Sequence, residues 1–261
     1  MTTESTKDQI FADRDPFAQK VGDTGRFTFN ETVAAVFDDM VARSIPSYAQ
    51  TQSITAEIAG EFLSAGGILY DLGCSTGNSI VSIAAHLERR HEVLREDNTD
   101  IKLFGIDASP SMIARARAKI RALTNFSAVT LIESDVLTYQ FSNAQVVLCH
   151  YTLQFIAPSL RQDFLNMVCR SLGSGGALIL AEKVEHRIPL VEDLLLKRYI
   201  DFKRTQGYSY SEITRKRAAL EDVLIPFTLD ENISLLRSAG FAAVDVVLKD
   251  LNFATLVAVK R

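Results

Sequence analysis

Two apolar runs in this chain each end in a carboxylate, and the first leads directly into a glycine loop. They read Ile68-Leu69-Tyr70-Asp71-Leu72-Gly73-Cys74-Ser75-Thr76-Gly77 and Leu103-Phe104-Gly105-Ile106-Asp107. Short apolar runs followed by a turn and a helical pattern are the mark of parallel strands in an open α/β sheet, whose ligands sit beyond the carboxyl ends of the strands. Gly73 and Gly77 let the backbone turn sharply and approach a ligand closely. An acid in the position of Asp107 accepts hydrogen bonds from both hydroxyls of a ribose. The loop lacks the middle glycine of a dinucleotide fingerprint, and small polar residues follow it. That suits a ligand with a nucleoside but no pyrophosphate, which points to S-adenosylmethionine. The plain alternatives are a strand-to-helix turn for the glycines and a helix N-cap for Asp107, although Ser109 is at least as good a cap.

Two further groups stand at strand ends. Asp135-Val136 follows a third apolar run at the place where an adenine amino group is usually met, although Asp after a strand is also common in turns. His150 closes a fourth run and points either to the crevice or into the core. Use of it as a base would require a partner and a suitable pKa. The least generic segment is 191–220, where cations including Lys197, Arg198, Lys203, Arg204, Lys216 and Arg217 are mingled with Tyr199, Phe202, Tyr208 and Tyr210. A solvated helix face accounts for most of these cations, while arginine can also grip a carboxylate bidentately.

The elements that must position these groups follow from periodicity. Helices are expected over 32–43, from about 48 to 64, over 78–87, from Pro110, over 160–172 and over 230–238. The charged stretch 86–100 reads as a helix end and a solvated loop. Strands are expected at 68–72, 102–106, 129–133, 144–150 and 177–181, with 243–248 and 253–259 close enough to pair antiparallel. Together they predict an α/β fold, a doubly wound, mostly parallel seven-stranded sheet with helices on both faces and the last strand antiparallel. Residues 1–25 read as a flexible lead-in. Residues 26–261 read as one ligand-binding α/β domain, with N-terminal helices at about 30–64 and a helical insertion at about 190–225.

The bulk numbers fit one such domain. The chain has 261 residues, 47% hydrophobic and 23% charged, as in an ordinary globular protein. No run of eighteen apolar residues is present, and the N-terminus lacks the pattern of a signal peptide. Cys74, Cys149 and Cys169 have neither metal-type spacing nor an even framework, so a cytoplasmic setting is expected. No metal is called for. A net charge of −4 argues against a large nucleic-acid footprint.

From about Phe27 to the C-terminus the chain resembles the carboxy-S-adenosyl-L-methionine synthases, on the Rossmann-like fold of S-adenosylmethionine-dependent methyltransferases. The likeness is carried by Phe37-Asp38-Asp39-Met40, Arg43-Ser44-Ile45-Pro46-Ser47-Tyr48 and Tyr70-Asp71-Leu72-Gly73-Cys74-Ser75. It continues in Thr152-Leu153-Gln154-Phe155, Glu182-Lys183, Asp201-Phe202-Lys203-Arg204, Gly207-Tyr208-Ser209, Lys216-Arg217 and Leu220-Glu221. The resemblance implies conversion of S-adenosyl-L-methionine and prephenate to carboxy-S-adenosyl-L-methionine and phenylpyruvate, a step in wobble-uridine modification of tRNA. It implies ligand contacts at Tyr48, Gly73, Cys74, Ser75, Asp107, Ala108, Asp135, Val136, His150 and Arg217. Arg217 would reach the new carboxylate from the neighbouring subunit, which implies a homodimer. His150 and Ala108 stand where that family typically has asparagine. A second reading is a methyltransferase acting on a small, carboxylate-type acceptor, with His150 as base and S-adenosyl-L-homocysteine as product. A third is a non-catalytic subunit of a tRNA-modifying partner.

Overall fold

The computed structural model describes residues 29–94, 100–123 and 128–261, so the expected lead-in at 1–25 lies outside the described residues. The chain opens with α1 (Glu31–Ser44), whose first turn is capped by Asn30, its side-chain oxygen accepting from the Val33 N–H at 3.1 Å. Ser47, at φ +54°, turns the chain into α2 (Tyr48–Phe62). Then strands and helices alternate: β1 (Ile68–Leu72), α3 (Asn78–Leu94), β2 (Lys102–Asp107), α4 (Pro110–Leu123), β3 (Val129–Glu133) and β4 (Ala144–His150). A 3-10 turn (Leu153–Phe155) leads to α5 (Pro158–Ser171), β5 (Leu172–Glu185), α6 (Pro189–Thr205) and α7 (Tyr210–Ala219). The two-residue β6 (Phe227–Thr228), α8 (Leu229–Ser238), β7 (Phe241–Asp250) and β8 (Phe253–Lys260) complete it.

The sheet runs β3-β2-β1-β4-β5-β8-β7, with β6 pairing to the end of β5. The pairs from β3 through β5 are parallel, and β8 is antiparallel to both β5 and β7. This is the expected doubly wound sheet, with β6 as an eighth strand that the sequence pattern does not show. Between β1 and β4 the strand order reverses, which opens a crevice at the carboxyl ends of these two strands.

Both faces of the sheet are covered, and so the central strands are apolar runs rather than alternating ones. Ile80, Ile83 and Leu87 of α3 pack with Leu69, Leu103 and Val146 on one face. Leu165 and Val168 of α5 and Leu236 of α8 pack with Tyr70, Val147 and Leu178 on the other. A third cluster joins Val33 and Met40 of α1 to Tyr199 of α6 and Phe253 of β8, and so docks the helical insertion over the crevice.

Two boundaries differ from the sequence expectation. The helix expected to end at Leu87 continues to Leu94, because its polar side is held by α2: Arg90 Nη1 lies 3.2 Å from Glu61 Oε1, and the helices meet closely at Gly60. The strand expected at 177–181 runs from Leu172 to Glu185, since it has partners along its whole length in β4, β8 and β6.

Candidate active site

The glycine loop is shaped by steric necessity. Gly73 has φ +83°, and a Cβ there would run into the Thr152 side chain. Gly77 has φ +80°, and at Gly105 a Cβ would lie 2.6 Å from Ile80 and 2.9 Å from the Cys74 sulfur. A side chain at Gly73 or Gly105 would collide with its neighbours, and one at Gly77 would be strained by the positive φ. The Asp107 carboxylate holds the loop from the β2 side, accepting from the Ser75 N–H at 2.9 Å and the Ser109 N–H at 2.8 Å. Ser109, not Asp107, caps α4, its hydroxyl accepting from the Met112 N–H at 3.3 Å.

From α1, Asp38 accepts hydrogen bonds from Thr76 and Asn78 and pairs with Lys119 of α4 at 2.6 Å. Asn78 also donates to the Tyr48 hydroxyl at 3.0 Å, and burial pushes that phenol up to about 12. Glu182, at the end of β5, fixes the opposite rim. Its two oxygens accept from the Leu153 and Gln154 N–H groups at 3.0 and 2.9 Å, while burial raises its carboxyl to about 8. Gln154 passes this order on, accepting from the Lys183 N–H at 3.1 Å and donating to the Tyr151 carbonyl at 3.3 Å.

Helices α6 and α7 form a roof. The Tyr199 hydroxyl donates to the Ser44 carbonyl at 2.9 Å, and Lys216 donates to the Ser44 hydroxyl at 2.9 Å. The Arg43 guanidinium stacks 4.3 Å over the Tyr208 ring. A capping box at Ser209 and Glu212 starts α7. Roof and strand ends enclose a cavity of about 890 Å³, within the roughly 300–1,000 Å³ of small-molecule sites.

Inside it, charge is unevenly placed. Asp71, 2% exposed, receives no hydrogen bond from a described residue, and burial together with Asp107 pushes its carboxyl up to about 7. Two more buried acceptors, Gln52 Oε1 and Asn252 Oδ1, have no partner among the described residues, and both residues line the cavity. Under the roof Lys183, Lys203 and Arg217 line the same cavity, with the carboxylates of Glu185, Glu192 and Glu221 also on its wall.

A family model described as a methyltransferase domain matches residues 69–176. A carboxy-S-adenosyl-L-methionine synthase of Wolinella succinogenes is 44% identical over 236 residues, spanning 90% of this chain and 94% of that protein. One from Methylococcus capsulatus is 38% identical over 256 residues, spanning 98% of this chain and 100% of that protein. The chain belongs to the carboxy-S-adenosyl-L-methionine synthase family. It is therefore an S-adenosylmethionine-dependent transferase. In fold it is similar to the [4+2]-cyclase SpnF (TM-score 0.58, 15% identity, 88% of this chain and 94% of that one). The YcgJ protein of Bacillus subtilis is also similar (TM-score 0.58, 11% identity, 82% and 99%).

The synthase's ligand fits the residues present. A buried carboxylate without a donor suits an ammonium, and unpartnered amide oxygens suit further N–H or O–H groups. Of the contacts that the sequence suggested, the structure gathers Tyr48, Gly73, Cys74, Ser75, His150 and Arg217 on one cavity wall or another. Asp107, Ala108, Asp135 and Val136 lie outside that lining, together on the β2–β3 side, where the Ser134 N–H donates to the Asp107 carbonyl at 3.0 Å. Arg217 lines the cavity of its own chain.

His150 points inward and is only 8% exposed, its ring nitrogens each 3.3 Å from the hydroxyls of Thr55 and Ser79. Burial lowers its conjugate acid to about 4. Among the 191–220 cations, Lys203 is not on a solvated face: it is 8% exposed. Asp71, Gln52, Asn252, Lys183 and Lys203 were not assigned contacts from sequence. For Lys183 a signal was available, since it stands at the carboxyl end of a strand beside the switch point.

Proposed function

We propose that this chain makes carboxy-S-adenosyl-L-methionine and phenylpyruvate from S-adenosyl-L-methionine and prephenate, supplying wobble-uridine modification of tRNA in the cytoplasm. The observation that carries this reading is that Arg217 and the Gly73-Cys74-Ser75 loop line one cavity. When bound, S-adenosylmethionine supplies an activated methyl carbon. The chain's own part is to position and to exclude water. Asp71 faces the cationic ligand, Tyr48 and the glycine loop hold its place, and the α6–α7 roof keeps carbon dioxide from escaping. Arg217 then meets the carboxylate as it forms. No side chain has to act as a covalent nucleophile.

The test is incubation of the purified chain with both substrates, followed by mass spectrometry. A product heavier than S-adenosylmethionine by one carboxylate, formed with stoichiometric phenylpyruvate, supports the reading. Turnover by the isolated chain also removes the non-catalytic alternative. Methyl transfer with His150 as base is weakened by a conjugate acid near 4 and by the engagement of both ring nitrogens.

A homodimer belongs to this reading, and Arg217, which lines the cavity of its own chain, is tested for service there or across the interface. Mixing Arg217→Ala protein with Gly73→Val protein distinguishes the arrangements. Activity recovered in the mixture means that Arg217 acts in trans. No recovery, with dimers present in light scattering, means that it acts within its own chain.

A further inference from the structure

Tyr199 carries two ammonium groups on its ring. Lys203 Nζ of α6 lies 4.4 Å from the ring centroid and Lys183 Nζ of β5 lies 5.7 Å from it. Lys203 is 8% exposed, yet its ammonium makes no hydrogen bond or ion pair with a described residue. The same holds for the ammonium of Lys183. Glu192, Glu185 and Arg217 act on it through space, and neither carboxylate comes within ion-pair distance. The Tyr199 hydroxyl is already committed to the Ser44 carbonyl at 2.9 Å.

Bringing two like charges together under a roof is costly, and buried charges are normally paired. The ring faces offset only part of that cost. Burial and mutual repulsion accordingly hold Lys203 down to about 8, and burial lowers Lys183 as well. The missing partner is an anion, and it must arrive through the cavity that both lysines line.

We propose that Lys203 and Lys183, facing the ring of Tyr199, seat the carboxylate that the second substrate keeps through the reaction. This rests on the reading of that substrate as prephenate, which has two carboxylates with opposite fates. One leaves as carbon dioxide: its carbon–carbon electron pair enters the ring, the ring hydroxyl departs as hydroxide, and the proton lost from the activated methyl converts that hydroxide to water. The other remains on phenylpyruvate. A pair of ammonium groups on the departing carboxylate would stabilise charge that has to vanish, and would oppose the reaction. On the retained carboxylate they anchor the substrate equally before and after the step. Arg217, on α7, is then left for the carboxylate being formed.

The experiment measures initial rates of carboxy-S-adenosyl-L-methionine formation by wild type, Lys203→Met, Lys203→Arg and Lys183→Met, together with inhibition by phenylpyruvate. Lys203→Met is expected to raise KM for prephenate roughly 10- to 100-fold, as for a lost charge-assisted hydrogen bond, and to weaken phenylpyruvate inhibition by the same factor. KM for S-adenosylmethionine should stay within about twofold of wild type, and Lys203→Arg should recover most of the loss. A general structural role would not split the constants in this way. If prephenate KM rises while phenylpyruvate inhibition holds, the lysines grip the departing carboxylate and the proposal is overturned. It is also overturned if neither constant moves in an active Lys203→Met enzyme. Lys183→Met supplies the same reading should Lys203→Met not fold. A wild type that makes no carboxylated product overturns the prephenate reading itself, a separate outcome from an active wild type with an indifferent Lys203→Met.

Discussion

The two ends of the cavity solve opposite electrostatic problems with different kinds of element. At the β1 end, Asp71 sits on a central strand, 2% exposed and without a hydrogen-bond donor among the described residues. At the roof, Lys183, Lys203 and Arg217 come from the end of one strand and from two helices that are pinned to α1 through Ser44. Asp71 has no cation against it among the described residues, and the Lys183 and Lys203 ammonium groups make no ion pair with a described residue although Glu185 and Glu192 line the same cavity. A site divided in this way prefers two ligands of opposite charge bound together, since each relieves a different unpaired group.

The comparison breaks most sharply at Arg217. Arg217→Ala should lower kcat for carboxylated product about 10²- to 10³-fold, the usual cost of removing a group aimed at developing charge. Calorimetric affinity for S-adenosylmethionine should remain close to wild type, since the β1 end is untouched. Equal losses in binding and in turnover would instead place Arg217 in the ground-state grip of S-adenosylmethionine, and the division of labour would fail.

Asp71 sharpens the other end. Asp71→Asn should weaken S-adenosylmethionine binding about tenfold at pH 8, as for one charge-assisted contact. Wild-type affinity should fall as pH drops through about 7, because protonation removes the charge that the ligand's ammonium meets. The variant should show no such slope. Stability must run the other way in the free protein. Its folded-state pKa near 7 lies above the ordinary aspartate value of 3.8, so the native state binds more protons than the unfolded state across that window. Wild-type stability therefore falls as pH rises through this window, and Asp71→Asn should be more stable than wild type at pH 8, on the order of 2–4 kcal/mol. Denaturation midpoints measured at pH 5 and pH 8 would check it.

The two ends also differ in how much of them could be read from sequence. The β1 end was legible because its parts are local: an apolar run, an acid and glycines at positions where only glycine fits the backbone. Asp107 and Ser109 likewise declare their turn within three residues. The roof was not legible in the same way. In α6, Lys197, Arg198, Lys203 and Arg204 look alike in composition, and only the docking of Tyr199 against Ser44 and Phe253 decides that Lys203 faces inward. The isolation of Asp71 depends on what does not reach it in three dimensions. The direction of His150 depends on Thr55 and Ser79, which lie 95 and 71 residues away along the chain. Such facts belong to packing, and periodicity carries no trace of them.

His150 is the point where the comparison has least leverage, because its imidazole belongs to neither charged end. It is buried, uncharged at neutral pH and held between two hydroxyls. If it served as a base, His150→Asn would cost orders of magnitude and the rate would follow a titration near neutrality. If it only fills the wall between α2, α3 and β4, asparagine keeps a donor and an acceptor but cannot span both hydroxyls. The loss is then one weak hydrogen bond, about two- to tenfold in KM for S-adenosylmethionine. Wild type and variant would share one pH profile between pH 6 and 8, since a group with its conjugate acid near 4 does not titrate there. Parallel profiles from the two enzymes would confine catalysis to the charged ends, whereas a profile that changes shape on substitution would bring His150 into the chemistry.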